Sequence, residues 1–121
     1  MTNGIVNRLE AIVEVTILFP NLTNVKVECV IDTGFAGALT LSAAKIADLE
    51  LPFFNRIRAT LANGNEVRTP SHIATIILEG KEISVLVISM GVRPLMGTAL
   101  LEGRRICAEF VEGGKVTIES L

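Results

Sequence analysis

Apolar and polar residues alternate with period two along much of this chain, the signature of strands with one buried face. From Leu9 to Phe19, the residues Leu9, Ala11, Val13, Val15, Ile17 and Phe19 share one face, and Glu10, Glu14 and Thr16 share the other. Turn chemistry follows at Pro20-Asn21-Leu22-Thr23-Asn24. A second strand then sets Val25, Val27, Cys29 and Ile31 against Lys26 and Glu28, so the hairpin ends on Asp32. Ser42 is suited to cap a short helix over 43–49, stopped before Pro52. Arg56 to Arg68 reads as a hairpin turning at Asn63-Gly64, a pair that accepts positive φ. Pro70 is expected to interrupt its outgoing strand and leave that hairpin at an edge.

Ile73 to Leu78 and Ile83 to Ile88 form a third hairpin about Glu79-Gly80-Lys81-Glu82. Its continuously apolar Val85-Leu86-Val87-Ile88 predicts a strand covered on both faces. Pro94-Leu95-Met96-Gly97 leads into a short helix over 98–102, with Gly103 as its stop. Ile106 to Val111 and Lys115 to Ser120 make a last hairpin about Gly113-Gly114. A hairpin, a glycine-bearing loop and a short helix thus occur twice, around Gly34 and around Gly97. The expected fold class is all-β with two short helices, in one domain over 1–121.

Composition narrows the function classes. Half of the residues are hydrophobic, which excludes a disordered chain. Net charge is −2 with acids and bases interspersed, and there is no Trp or Tyr. Neither a basic face nor stacking platforms for bases are therefore expected, and nucleic acid is set aside as a partner. Met1-Thr2-Asn3-Gly4 lacks the start of a signal peptide, and no apolar run approaches the ~18 residues of a membrane span. The expectation is a soluble cytoplasmic protein with no membrane partner. Cys29 and Cys107 are too few for a disulfide framework or a metal site and read as buried strand thiols. His72, the sole histidine, has no companion ligand and reads as a surface residue.

Aspartate is scarce: the chain has Asp32 and Asp48 only, against eleven glutamates. Asp48 falls in a helix pattern and is assigned to a solvated surface. Asp32 leaves an apolar strand in Val30-Ile31-Asp32-Thr33-Gly34-Phe35-Ala36-Gly37. A carboxylate there costs free energy unless it is hydrogen-bonded or shares a proton. Asp-Thr-Gly alone is a common way to leave a strand, so the surrounding pattern has to decide.

That pattern resembles the retroviral (retropepsin-like) aspartic proteases, in particular the short stand-alone bacterial forms, from about Leu9 to Leu121. Ile31-Asp32-Thr33-Gly34 is similar to the family's catalytic strand-loop. The hairpin tip Ala62-Asn63-Gly64-Asn65 falls where the family has its substrate-covering flap. Leu95-Met96-Gly97 before Thr98-Ala99-Leu100-Leu101 is similar to its segment of two hydrophobes and a glycine with the terminal helix. Thr98 and Ala99 stand where the family often carries Asn or Asp, so the supporting hydrogen bond is expected from Thr98 or not at all. Phe35-Ala36-Gly37 replaces the small-residue continuation of the viral enzymes.

The resemblance implies a closed or partly open β-barrel acting as a homodimer on peptide or protein substrate, without metal or organic cofactor. One Asp-Thr-Gly per chain is half of a two-carboxylate site, so two copies of Asp32 must meet on a two-fold axis. Asp32, Thr33 and Gly34 are the implied catalytic set, Thr33 bonding across the interface and Gly34 letting the backbone approach the carboxylate. Phe35, Ala36, Gly37, Ala62, Asn63, Gly64, Asn65, Leu95 and Met96 are the implied substrate contacts. The N-terminal strand and Lys115 to Leu121 are implied to interleave between subunits. The alternative is a non-catalytic dimerisation or peptide-binding module of the same fold.

Overall fold

The chain opens with a strand that the alternation did not announce, β1 (Thr2–Asn7). Only Ile5 and Val6 are apolar within it, too few to set a period. A computed structural model describes residues 1–19, 23–61 and 63–121; the expected turn at Pro20-Asn21-Leu22 and the flap residue Ala62 lie outside the described residues. Arg8 and Leu9 take positive φ, 52° and 63°, and turn the chain into β2 (Glu10–Leu18). Leu9 therefore belongs to a tight turn, 74% exposed, and not to the core face expected of it. Ala11, Val13, Val15 and Ile17 hold that face and are buried.

β3 (Val25–Ile31) runs antiparallel to β2 with Cys29 opposite Val13, and buries Val27 and Cys29. β4 (Leu39–Leu41) is buried throughout. The helix α1 (Ala43–Asp48) starts as expected: Ser42 Oγ accepts from the Lys45 N–H at 3.1 Å. β5 (Phe53–Thr60) pairs with β6 (Glu66–Leu78), a strand of 13 residues in which Pro70 causes no break. The register gives the reason. Leu61 N–H donates to Asn65 O, which makes 57↔69 and 59↔67 the bonded pairs, so position 70 points away from β5. On that other side the pairing with β7 (Lys81–Ser89) begins only at Ser71↔Ile88, so the missing N–H is not needed. β5 ends the sheet at an edge, as the hairpin pattern implied.

The β6–β7 turn is tighter than expected, with Glu79 and Gly80 at φ 53° and 75°. Val85, Val87 and Ile88 are buried, but Leu86 is 40% exposed, so β7 is not covered on both faces. A continuous apolar run does not distinguish these two cases. β8 (Leu95–Met96) and α2 (Thr98–Leu101) follow, then β9 (Arg104–Ala108) and β10 (Lys115–Ser120). The last hairpin starts two residues earlier than its apolar run suggested, because the chain turns directly after Gly103 at φ 77°. Cys107 is exposed, unlike the buried Cys29.

The ten strands form one sheet in the order β5-β6-β7-β4-β8-β3-β2-β1-β10-β9, with a further pairing of β6 to β2. That pairing closes β2, β3, β8, β4, β7 and β6 into a ring around a core that includes Val15, Ile17, Leu39, Ile76, Val87 and Met96. The terminal strands are paired within the chain. β1 is paired on both edges, to β2 and β10, and β10 on both edges, to β1 and β9. Interleaving them with another subunit would break bonds already made within the chain. Among the described residues, β5 and β9 are the two strands at the ends of the sheet order.

Candidate active site

β8 is the element on which the site is hung. It lies between β3, to which it is parallel (Val30↔Leu95, Ile31↔Met96), and β4, to which it is antiparallel (Thr40↔Leu95, Leu39↔Met96). Thr40, fully buried, accepts the Leu95 N–H on its hydroxyl at 2.9 Å and locks this register. Where β3 leaves the ring, Asp32 N–H donates to Met96 O at 2.9 Å. The chain then turns back: Phe35 N–H donates to Asp32 O at 3.1 Å, and Gly34 N–H donates to the Asp32 carboxylate at 2.9 Å. A Cβ at Gly34 would stand 3.2 Å from that carboxylate oxygen, closer than ordinary contact. Asp32 is half-buried and Thr33 exposed, so the acid faces outward from a rigid base.

The segment after β8 braces the loop from behind. Gly97 N–H donates to Ala38 O at 2.9 Å, Thr98 N–H to Phe35 O at 2.8 Å, and Ala99 N–H to Gly37 O at 3.1 Å. Gly97 is needed for closeness: a Cβ there would press on Gly37 O and the Phe35 ring and lie 2.6 Å from Phe35 O. The hydroxyl of Thr98 adds a bond to Phe35 O at 3.3 Å. This is the support expected from Thr98 in place of a family Asn or Asp.

Two grooves flank the loop. One, about 570 Å³, brings Asp32 and Thr33 together with Leu9, Leu95, Ile106 and Phe110. The other, about 460 Å³, runs between Gly34–Gly37 and Ile57–Thr60 of β5. The structure thus gathers Asp32, Thr33 and Leu95 at one groove, and Gly34, Phe35, Ala36 and Gly37 at the next.

The flap tip stands apart from both grooves. Asn63, Gly64 and Asn65 are exposed, Asn63 Oδ1 accepting the Asn65 N–H at 3.0 Å, with Gly64 at φ 85°. Met96 corrects an expectation. Its side chain is fully buried in the ring, and only its carbonyl serves the loop. A two-residue strand presents one side chain to each face, and Leu95 took the open one.

Sequence reasoning missed Ile57–Thr60, Ile88 and Met90 as groove walls. The exposure of β5 alternates from Ile57 to Thr60, but nothing local says what the strand lies across. His72 is half-buried and not a surface residue. Its ring stands edge-on to Phe53 at 5.7 Å, with Nδ1 buried and unpartnered.

No protein-family model and no curated protein matches the sequence. Solved structures do. EIAV protease complexed with the inhibitor HBY-793 superposes with a TM-score of 0.55 at 25% identity, over 78% of this chain and 88% of that one. A retropepsin-like aspartic protease from Rickettsia conorii superposes with a TM-score of 0.58 at 16% identity, over 98% of this chain and 90% of that one. With a ring of strands that β8 completes between β3 and β4, and an Asp-Thr-Gly loop where β3 leaves it, this chain has the retropepsin-like fold of the aspartic proteases.

Proposed function

We propose that the chain is one half of a homodimeric aspartic endopeptidase that cuts extended polypeptide segments. The observation that carries this reading is the Asp32 carboxylate, held by the Gly34 N–H at 2.9 Å at the mouth of a groove. In the dimer two such carboxylates face one water. The ionised one takes a proton from the water, whose oxygen attacks the scissile carbonyl carbon, while the protonated one hydrogen-bonds the carbonyl oxygen. The C–N bond then breaks as the leaving nitrogen receives a proton. Like charges at close range cannot both ionise, so the pair holds one proton between them. The chemistry calls for no metal or organic cofactor.

The substrate adds as a strand, with main-chain bonds to the protein and alternate side chains in the grooves. The Asn63–Asn65 tip closes over it and excludes water, with Gly64 supplying the left-handed turn. Thr33 bonds its counterpart across the two-fold axis, a role that its exposure beside Asp32 supports.

The test is cleavage of unfolded casein by the wild-type protein and by Asp32→Asn. The enzyme reading expects a loss of ~10²–10⁴-fold or more, the range that positioned acid–base groups contribute. Casein bound but cut by neither protein would establish the peptide-binding module instead.

A further inference from the structure

We infer that the cavity between β7 and α2 binds a small amphiphilic carboxylate, its apolar chain against the walls and its carboxylate on Arg104. The cavity shares no residue with the groove at Asp32, so the inference does not depend on the protease reading.

Strand alternation makes the cavity. Val85 and Val87 of β7 face the core, which leaves Ser84 and Leu86 on the outer face, Leu86 at 40% exposure. α2 stands opposite with Ala99 and Leu100, and the loop after Asp32 adds Gly37 and Ala38. Small side chains at 37, 38 and 99 leave about 500 Å³ between these walls. That lies in the range of roughly 300–1,000 Å³ typical of small-ligand pockets. Apart from Ser84 and Arg104, the lining side chains are apolar or absent.

Arg104 supplies the polar group. It is the one charged residue among those lining the cavity, and its side chain is only 18% exposed. Its Nε donates to Glu79 Oε1 at 3.0 Å, and its Nη1 donates to Leu100 O at 2.7 Å and to Glu102 O at 3.4 Å. A guanidinium has five N–H donors. Among the described residues, Nη2 meets no acceptor.

Those three bonds also fix the guanidinium in place before any ligand arrives, so little side-chain freedom is lost on binding. The Glu79 carboxylate is itself shared, its other oxygen accepting the Ser120 hydroxyl at 2.8 Å and the Ser120 N–H at 3.0 Å. Among the described residues, no acidic side chain lines the cavity to repel an anion. A purely apolar ligand would strip water from Nη2 and return nothing, whereas a carboxylate gives it a charge-assisted bond. An apolar chain ending in a carboxylate therefore answers both features of the site.

The test is an NMR titration of the isotope-labelled protein with decanoate, decanol and octanoate. Decanoate is expected to shift the Leu86, Ala99, Leu100 and Arg104 amides saturably. Decanol should bind at least fivefold more weakly, for want of the charge. Octanoate, two CH₂ groups shorter, should bind on the order of tenfold more weakly. Ser84→Phe fills the cavity from an exposed position on β7, and Ala99→Leu fills it from α2. Neither alters Arg104, and each should weaken decanoate at least tenfold; a folded form of either one suffices.

Equal affinity for decanoate and decanol overturns the inference, as does decanoate binding that survives the filled cavity. Shifts confined to Leu9, Ile106 and Phe110 place the ligand in the Asp32 groove and overturn it too. The peptide acetyl-Leu-Glu-Leu-amide shifting the same four amides at lower concentration than decanoate overturns the assignment in favour of a peptide.

Discussion

Thr98 closes on Phe35 twice, its backbone N–H donating to the Phe35 carbonyl at 2.8 Å and its hydroxyl to the same oxygen at 3.3 Å. One carbonyl thereby ties the start of α2 to the loop that carries Asp32. The main-chain bond is the stronger of the two by geometry, and the hydroxyl refines it. Gly97, whose missing side chain lets the two segments touch, brings the short Thr98 hydroxyl within reach of that carbonyl.

Thr98→Val keeps the shape and removes the hydroxyl. The expected cost is about 0.5 kcal/mol, the low end for an exposed hydrogen bond, with no change in topology. Thr98→Ser should recover it. Thermal unfolding of the three proteins measures this, and equal midpoints for Val and Ser would show that the hydroxyl contributes nothing.

Gly97→Ala is expected to be far more damaging than its size suggests. The added methyl meets Gly37 O and the Phe35 ring and carbonyl, backbone and packed aromatic that have little room to withdraw. Overpacking of this kind costs ~1–3 kcal/mol, and here the displaced segment is the loop that carries Asp32. Denaturant unfolding should report the stability loss, and any cleavage activity should fall further than stability alone explains. Gly34→Ala, facing only a carboxylate oxygen at 3.2 Å, should be milder.

The two thiols should differ sharply in reactivity. Burial pushes the Cys29 thiol up to about 12, whereas Cys107 is exposed. At pH 8 a maleimide should label one thiol per native chain and two after denaturation, read by mass spectrometry. The same shift has a stability consequence. In the unfolded chain Cys29 ionises near its ordinary value of 9.0, and in the folded chain only near 12. Its contribution is fully present below 9 and is lost as pH rises from 9 toward 12.

Glu79 gathers the ends of the fold. Its carboxylate accepts from the Ser120 hydroxyl at 2.8 Å, the Ser120 N–H at 3.0 Å and Arg104 Nε at 3.0 Å, while its own N–H donates to Thr2 Oγ1 at 3.2 Å. The Ser120 hydroxyl bond, followed by Arg104, holds its carboxyl below the usual carboxylate range. A depressed value in the folded state means stability that is present above the ordinary range and lost as pH falls through the folded value. Glu79→Gln should therefore melt below the wild type near pH 7, and the gap should narrow on acidification. A gap independent of pH would show that the charge plays no part.

Much of this fold was legible because its strands are local statements. Alternation placed β2 and β3, and Asp-Thr-Gly with Leu95-Met96-Gly97 marked the loop and its brace. β1 was not legible, because two apolar residues carry no period, and Leu9 was misplaced because a two-residue turn took it out of the strand it appeared to begin. Pro70 misled for a related reason: whether a missing N–H matters depends on which neighbour the position faces.

The sequence by itself marked seven of the ten strands, the cap at Ser42 and the one Asp-Thr-Gly at the end of an apolar strand. Those follow from side-chain period, turn chemistry and composition, which act within a few residues. Tertiary structure alone decided that β6 closes on β2, that β8 slots between β3 and β4 and buries Met96, and that the terminal strands pair with each other. Such pairings join residues far apart in the chain, and the hydrogen-bonding edge of a strand is the same whatever its side chains are. Which edges are consumed and which remain open is thus settled only when the whole sheet has formed.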